Sequence, residues 1–190
     1  IFVNGGVLIR PSERISLGAV YRLRPKFEDL RLQSLNRYDE PFEDTPDTLF
    51  NVSVPDALGV GIAARPHDLI TVSLAAVLNR YSQLSEEMAL TYDEGDGDPI
   101  RADDFVADDG IDYHGGVEFV LPVGNTYLAL RGGGFMLAPS NIYYEGNSTG
   151  SRRLWGTEPA DPTLGYTAGL GTLLAERFQL DVAASITDER

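Results

Sequence analysis

Val3-Asn4-Gly5-Gly6-Val7-Leu8-Ile9-Arg10 and Ile15-Ser16-Leu17-Gly18-Ala19-Val20-Tyr21-Arg22-Leu23 decide the fold. Val3, Gly5, Val7 and Ile9 share one parity, and beyond a turn at Pro11-Ser12-Glu13 the same face continues as Ile15, Leu17, Ala19, Tyr21 and Leu23. The opposite parity carries Asn4, Gly6, Arg10, Ser16, Gly18, Arg22 and Arg24. Period-two alternation marks strands with one apolar side. A three-residue turn pairs Ile9 with Ile15 and Val7 with Leu17.

The same layout recurs three times. Leu58, Val60 and Ile62 match Ile70, Val72, Leu74, Ala76 and Leu78 across Arg65-Pro66-His67. Tyr113, Val117, Phe119 and Leu121 match Leu128, Leu130 and Met136 across Pro122-Val123-Gly124-Asn125. Tyr166, Ala168 and Leu170 face Leu180, Val182, Ala184 and Ile186 across Leu174-Ala175-Glu176. A slip of one residue would move every apolar side chain to the wrong face, so each hairpin is a separate test of the pattern. The sequence therefore predicts eight antiparallel strands, with short turns at one end and long polar loops at the other. That asymmetry is characteristic of a transmembrane β-barrel.

Each apolar face runs about ten residues, which suits the ~9–11 tilted residues that cross a bilayer. Tyr21, Tyr113 and Tyr166 fall near the long-loop ends, and Phe119 and Phe178 near the short turns, as interfacial girdles require. Arg80 shares the outward parity but lies at the loop end. The sequence contains no apolar run long enough for a membrane-crossing helix; Thr71 and Ser73 interrupt Leu69 to Leu78 at strand spacing.

Three long connections, residues 25–53, 83–110 and 138–162, hold 20 of the 29 acidic residues and six of the 15 basic ones. Their balance equals the whole net charge of −14, so the strands and short turns are neutral in sum. Such acidity argues against nucleic acid as a partner, since its phosphates would be repelled. It is compatible with divalent cations at a lipopolysaccharide surface. Asp93-Glu94-Gly95-Asp96-Gly97-Asp98 lacks the complete ligand spacing of a calcium-binding EF-hand loop and reads better as a solvated loop. With no cysteine and only His67 and His114, thiol chemistry and imidazole metal clusters are not indicated. No cofactor fingerprint, phosphate loop or nucleophile–base–acid set is present, and a non-enzymatic role follows as the expectation.

Gly6 to Arg22, Val54 to Pro66, Leu128-Ala129-Leu130-Arg131-Gly132-Gly133-Gly134, Gly169-Leu170-Gly171 and Leu180-Asp181-Val182-Ala183 resemble, in that order, the FadL family of outer-membrane transporters for long-chain fatty acids and other hydrophobic compounds. The resemblance spans most strand regions and few loops. It implies a fourteen-stranded barrel with an N-terminal hatch, a hydrophobic ligand path and a lateral opening. Residues 1–190 would then form a single partial barrel domain lacking the hatch, the early strands and the final strands. The implied location is the cell outer membrane, with a hydrophobic small molecule, outer-membrane lipid and lipopolysaccharide as partners.

Several residues are candidates for this work. Arg22, Arg24 and Lys26 share the inward parity and climb toward the external mouth, where they would orient an anionic head or pair with acidic loops. Leu30, Leu32, Leu35, Tyr38, Phe42, Leu49 and Phe50 offer apolar capture contacts in the first long loop, or pack it against itself. Asp112, His114 and Glu118 share the inward face of the fifth strand, and Arg131 follows on the sixth. The expected register sets Glu118 opposite Ala129 and diagonal to Arg131, giving an ion network within the lumen. Inward glycines, among them Gly59, Gly61, Gly116, Gly133, Gly169 and Gly171, leave space for a passage or allow curvature. The different-class alternative is a non-transporting barrel closed by these eight strands, whose interior side chains would fill. A soluble ligand-binding barrel with its apolar side chains inside ranks third.

Overall fold

The structure is a computed structural model that describes residues 3–32, 48–85, 102–124, 126–174 and 178–188. In chain order the strands are β1 (Val3–Ser12), β2 (Ile15–Leu23), β3 (Lys26–Leu32), β4 (Thr48–Ser53), β5 (Ala57–His67), β6 (Ile70–Asn79), β7 (Phe105–Val106), β8 (Gly110–Val123), β9 (Thr126–Leu137), β10 (Tyr143–Tyr144), β11 (Thr163–Leu174) and β12 (Phe178–Asp188). One short helix, α1 (Thr149–Trp155), lies between β10 and β11. Eight strands form a single antiparallel sheet in the order β1-β2-β5-β6-β8-β9-β11-β12, an up-and-down arrangement that follows the four expected hairpins. The remaining strands pair locally, β3 with β4 and β7 with β10. The first long connection therefore contains a hairpin of its own. Among the described residues no helix is long and apolar enough to cross a membrane, a statement that does not bear on strands.

The expected faces are found, while two expected registers are corrected. Ile9 pairs with Leu17 and Val7 with Ala19, two residues from the predicted partners. A shift of two preserves every side chain's face. Its cause is an irregularity between Ile9 and Ser12 that absorbs Pro11, which has no N–H to give the ladder. The second hairpin repeats the device between Ala64 and His67, around Pro66. The turns consequently lie later than expected, at Glu13-Arg14 and Asp68-Leu69. They are tied together: the Arg65 amide donates to the Arg14 carbonyl at 2.8 Å. In the third hairpin Val123 pairs with Thr126, so the predicted four-residue turn contracts to Gly124-Asn125, with Gly124 at φ +60°. That angle is open to glycine at little cost and matches the primed turns that suit twisted hairpins. The last turn, at residues 175–177, lies outside the described residues.

Among the described residues no layer covers the apolar face of the sheet. Cross-strand rows such as Val7–Ala19–Val60–Ala76–Tyr113–Met136–Leu164 place apolar side chains on one face throughout. Most large side chains of that face are exposed, from Leu17 at 39% to Ile186 at 75%, while Val117, Leu128 and Met136 are half-buried. Of the large apolar side chains exposed on the eight strands, only Leu8 and Tyr127 belong to the opposite face. Asp188, at the loop end of β12, is the one charged residue in the paired rows of the apolar face. Only five apolar residues are buried among the described ones: Ala57, Phe105, Ala107, Tyr143 and Tyr144. None lies in the middle of the sheet.

Candidate functional site

The second face divides into two parts. Across β1 to β6, Gly6, Gly18, Gly59 and Gly61 alternate with Leu8, Val20, Ala63, Ala75 and Val77 around a groove of about 620 Å³. The missing side chains make the space: nothing but a leucine methyl and a backbone oxygen lies near a Cβ built at Gly18. Ser16 and Ser73 are its hydroxyl groups. Across β6 to β11 follows a recess of about 490 Å³ whose lining includes Thr71, Ser73, His114, Glu118, Arg131 and Thr167. Ser73, Leu74 and Ala75 line both spaces, so the two adjoin.

Arg131 organises the polar part. It stands directly opposite Glu118 in the ladder, correcting the expected pairing with Ala129, and its Nε donates to Glu118 Oε2 at 2.6 Å. Its Nη1 donates to Asp181 Oδ1 on β12, across the whole width of β11. Gly169 and Gly171 open that path: Gly169 pairs with Arg131 and Gly171 with Asp181. A Cβ at Gly171 would strike both Asp181 Oδ1 and Arg131 Nη1. Gln179 Nε2 adds a hydrogen bond to the other Asp181 oxygen at 2.6 Å. The three charged side chains remain between 33% and 42% exposed, so they form a wet ionic bridge rather than a buried one.

Of the four residues expected in an ion network, only Glu118 and Arg131 meet. Asp112 instead accepts from Asn79 Nδ2 at 2.7 Å and from the Ala138 amide at 2.9 Å. His114 packs near Phe135, ring centroids 6.2 Å apart. Phe135 in turn lies over Gly165, where a Cβ would enter its ring. Asp181 was missed, although its signal was present: an inward acid on the last strand, with Gly-x-Gly on the strand between it and an inward arginine.

The expected cationic ladder is not one continuous row. Arg22 occupies the second face of β2, level with Asn4, Ala57 and Asn79. Arg24 lies past the end of β2, and Lys26 begins β3 in the separate hairpin, opposite Ser53. Neither Arg22 nor Arg24 forms a salt bridge among the described residues. Phe50 is in β4, paired with Leu30; Leu35, Tyr38 and Phe42 lie outside the described residues, as does Asp93 to Asp98.

At the long-connection end, buried Asp56 gathers several segments. Its carboxylate accepts from the Arg24 amide at 3.0 Å, from Tyr21 Oη at 2.9 Å and from Gln83 Nε2 at 3.4 Å. Its own amide donates to Gln83 Oε1 at 2.8 Å. Burial pushes the Asp56 carboxyl up, but those donors and the Arg80 charge outweigh it and hold the group below the ordinary carboxylate range. Nearby, Phe105 packs edge-on against Tyr144 and Trp155, at 5.2 and 5.5 Å between centroids. Tyr143 and Tyr144 donate to Asp108 and Asp104. Burial, then the Asp108 hydrogen bond, pushes the Tyr143 phenol up and keeps it a donor.

These features define an all-β protein: an amphipathic eight-stranded up-and-down sheet with one exposed apolar face, one glycine-rich and partly charged face, and a packed loop cluster. Comparison of the chain with protein-family models, curated proteins and solved structures finds no match in any of the three.

Proposed function

We propose that the sheet is part of the wall of a transmembrane β-barrel in the outer membrane, of the FadL-like kind, through which long-chain fatty acids or other hydrophobic small molecules pass without chemical change. The observation that carries this reading is the uncovered apolar face, most of whose large side chains are exposed, bounded by Tyr21, Tyr113 and Tyr166 toward the long connections and by Phe119 and Phe178 toward the turns. A contiguous apolar surface of that extent is unfavourable in water and favourable against lipid. The ladders satisfy the backbone polar groups within the sheet, as a bilayer demands. The outer strands β1 and β12 are not paired with each other, and every residue of both is exposed, which supports a larger barrel over one closed by these eight strands. The glycine-floored groove on the second face supplies the path. Its apolar lining stabilises a hydrocarbon chain by ~0.8 kcal/mol per methylene buried.

The test is expression in Gram-negative cells that lack their own uptake route for long-chain compounds. The protein is expected in the outer-membrane fraction, extractable by detergent, with uptake of a labelled long-chain substrate above that of cells carrying an empty vector. A protein that is monodisperse in water without detergent, or that leaves uptake unchanged, would refute the reading.

A further inference from the structure

We propose that the ligand path discriminates against carboxylates and takes long-chain molecules with an uncharged head, such as an alcohol or ester; the inference rests on the transport reading above. A fatty-acid carboxylate needs an available cation inside the path. Arg131 is the single arginine or lysine lining either space on the second face, and its Nε and Nη1 both donate to carboxylates; the imidazole of the recess, His114, packs near Phe135. Glu118 and Asp181 together outweigh it, leaving the cluster with a formal charge of −1. Asp112, on the same face of β8, adds another negative charge, engaged by Asn79 and the Ala138 amide rather than by a base. A carboxylate entering the recess therefore meets net negative charge around the guanidinium, while Arg10, Arg22 and Arg65, the other arginines of this face, lie toward the strand ends and outside both spaces. Like-charge juxtaposition of this kind costs several-fold to many-fold in affinity.

The groups that remain available suit a neutral head. Ser73, at the junction of groove and recess, with Thr71 and Thr167 beyond it, presents hydroxyls that both donate and accept. The apolar groove on β1 to β6 holds the chain while these hydroxyls meet its polar end. Arg22, at the mouth and outside both spaces, would attract an anion without giving it a partner deeper in.

The experiment is competition binding of dodecanol and dodecanoate to the detergent-solubilised protein at about pH 8, where the acid is ionised. Dodecanol is expected to bind ~tenfold tighter or more. Glu118→Gln with Asp181→Asn removes the two acids around the Arg131 guanidinium; the ratio of dodecanoate to dodecanol affinity should then rise ~tenfold. Equal or tighter binding of dodecanoate by the unaltered protein would overturn the proposal while leaving transport intact. So would a double variant that retains dodecanol binding but gains no affinity for dodecanoate. Should the double variant fail to fold, Asp181→Asn alone is expected to shift the ratio in the same direction, and an unshifted ratio in that variant overturns the proposal. Failure of the unaltered protein to bind either molecule would instead remove the transport reading itself.

Discussion

The sheet and the loop cluster of this chain obey opposite rules of burial. In the cluster, Tyr144 is 2% exposed, Phe105 packs against two rings and the buried tyrosines donate to acids. In the sheet, Tyr166 is 70% exposed and Leu74 59%, with no layer of the described structure over them. The cluster hides its apolar groups as a protein in water must; the sheet leaves them bare, as the proposed barrel wall would toward lipid. The acidic balance follows the same division, since all the net charge lies in the long connections.

The largest effect that would sharpen this contrast is expected in the cluster. Phe105→Ala removes a ring buried among Tyr144 and Trp155 and should cost roughly 3–5 kcal/mol of local stability. Hydrogen exchange should accelerate at residues 105–107 and 143–155 while the eight-stranded sheet keeps its protection. Loss of protection throughout the sheet would show that the two regions are not separable.

Next in size is a charge on the apolar face. Leu74→Arg lies halfway along β6 and should cost about 2–4 kcal/mol when unfolding is measured from lipid vesicles. A face bathed in water would tolerate the same change to within about 0.5 kcal/mol. The measured value therefore decides between the two solvents.

The sequence made the faces readable and the registers only partly so, for a physical reason. Alternation of Val, Ile, Leu and Tyr fixes parity, and every predicted apolar side chain lies on the predicted face. A shift by two residues leaves parity untouched, so nothing in the pattern distinguished Glu118 opposite Ala129 from Glu118 opposite Arg131. The deciding facts were local: Pro11 and Pro66 absorbed into irregularities, and Gly124 able to make a tight turn. Asp181 escaped notice because its partner lies two strands away, a distance that only adjacent glycines on β11 make passable. Asp112 and His114 share parity with Glu118 and were grouped with it on that ground; pairing across the ladder, not position along one strand, determines which charges meet. The loop cluster left no periodic signal at all, because β7, β10 and α1 are each shorter than a pattern can register.

The smallest effect tests the long-connection end of the sheet. Asp56 holds the end of β2, the start of β5 and residues 80–83 together through its carboxylate, amide and carbonyl, the last accepting from the Arg80 amide at 3.0 Å. Because its folded carboxyl titrates below the ordinary value, its contribution to stability is complete above the unfolded carboxylate pKa, about 3.9, and fades as pH falls through the lower folded value. Acidification below about pH 4 should therefore speed exchange of the amides that Asp56 and its neighbours hold, those of Arg24, Asp56, Arg80 and Gln83, before the central sheet opens. Asp56→Asn keeps the shape but weakens three acceptor interactions; it should cost roughly 1–3 kcal/mol at neutral pH and flatten the acid dependence at those same positions. An Asn variant with unchanged acid dependence would assign the effect to another carboxylate, leaving the Arg80–Asp56 backbone bond as what holds this end together.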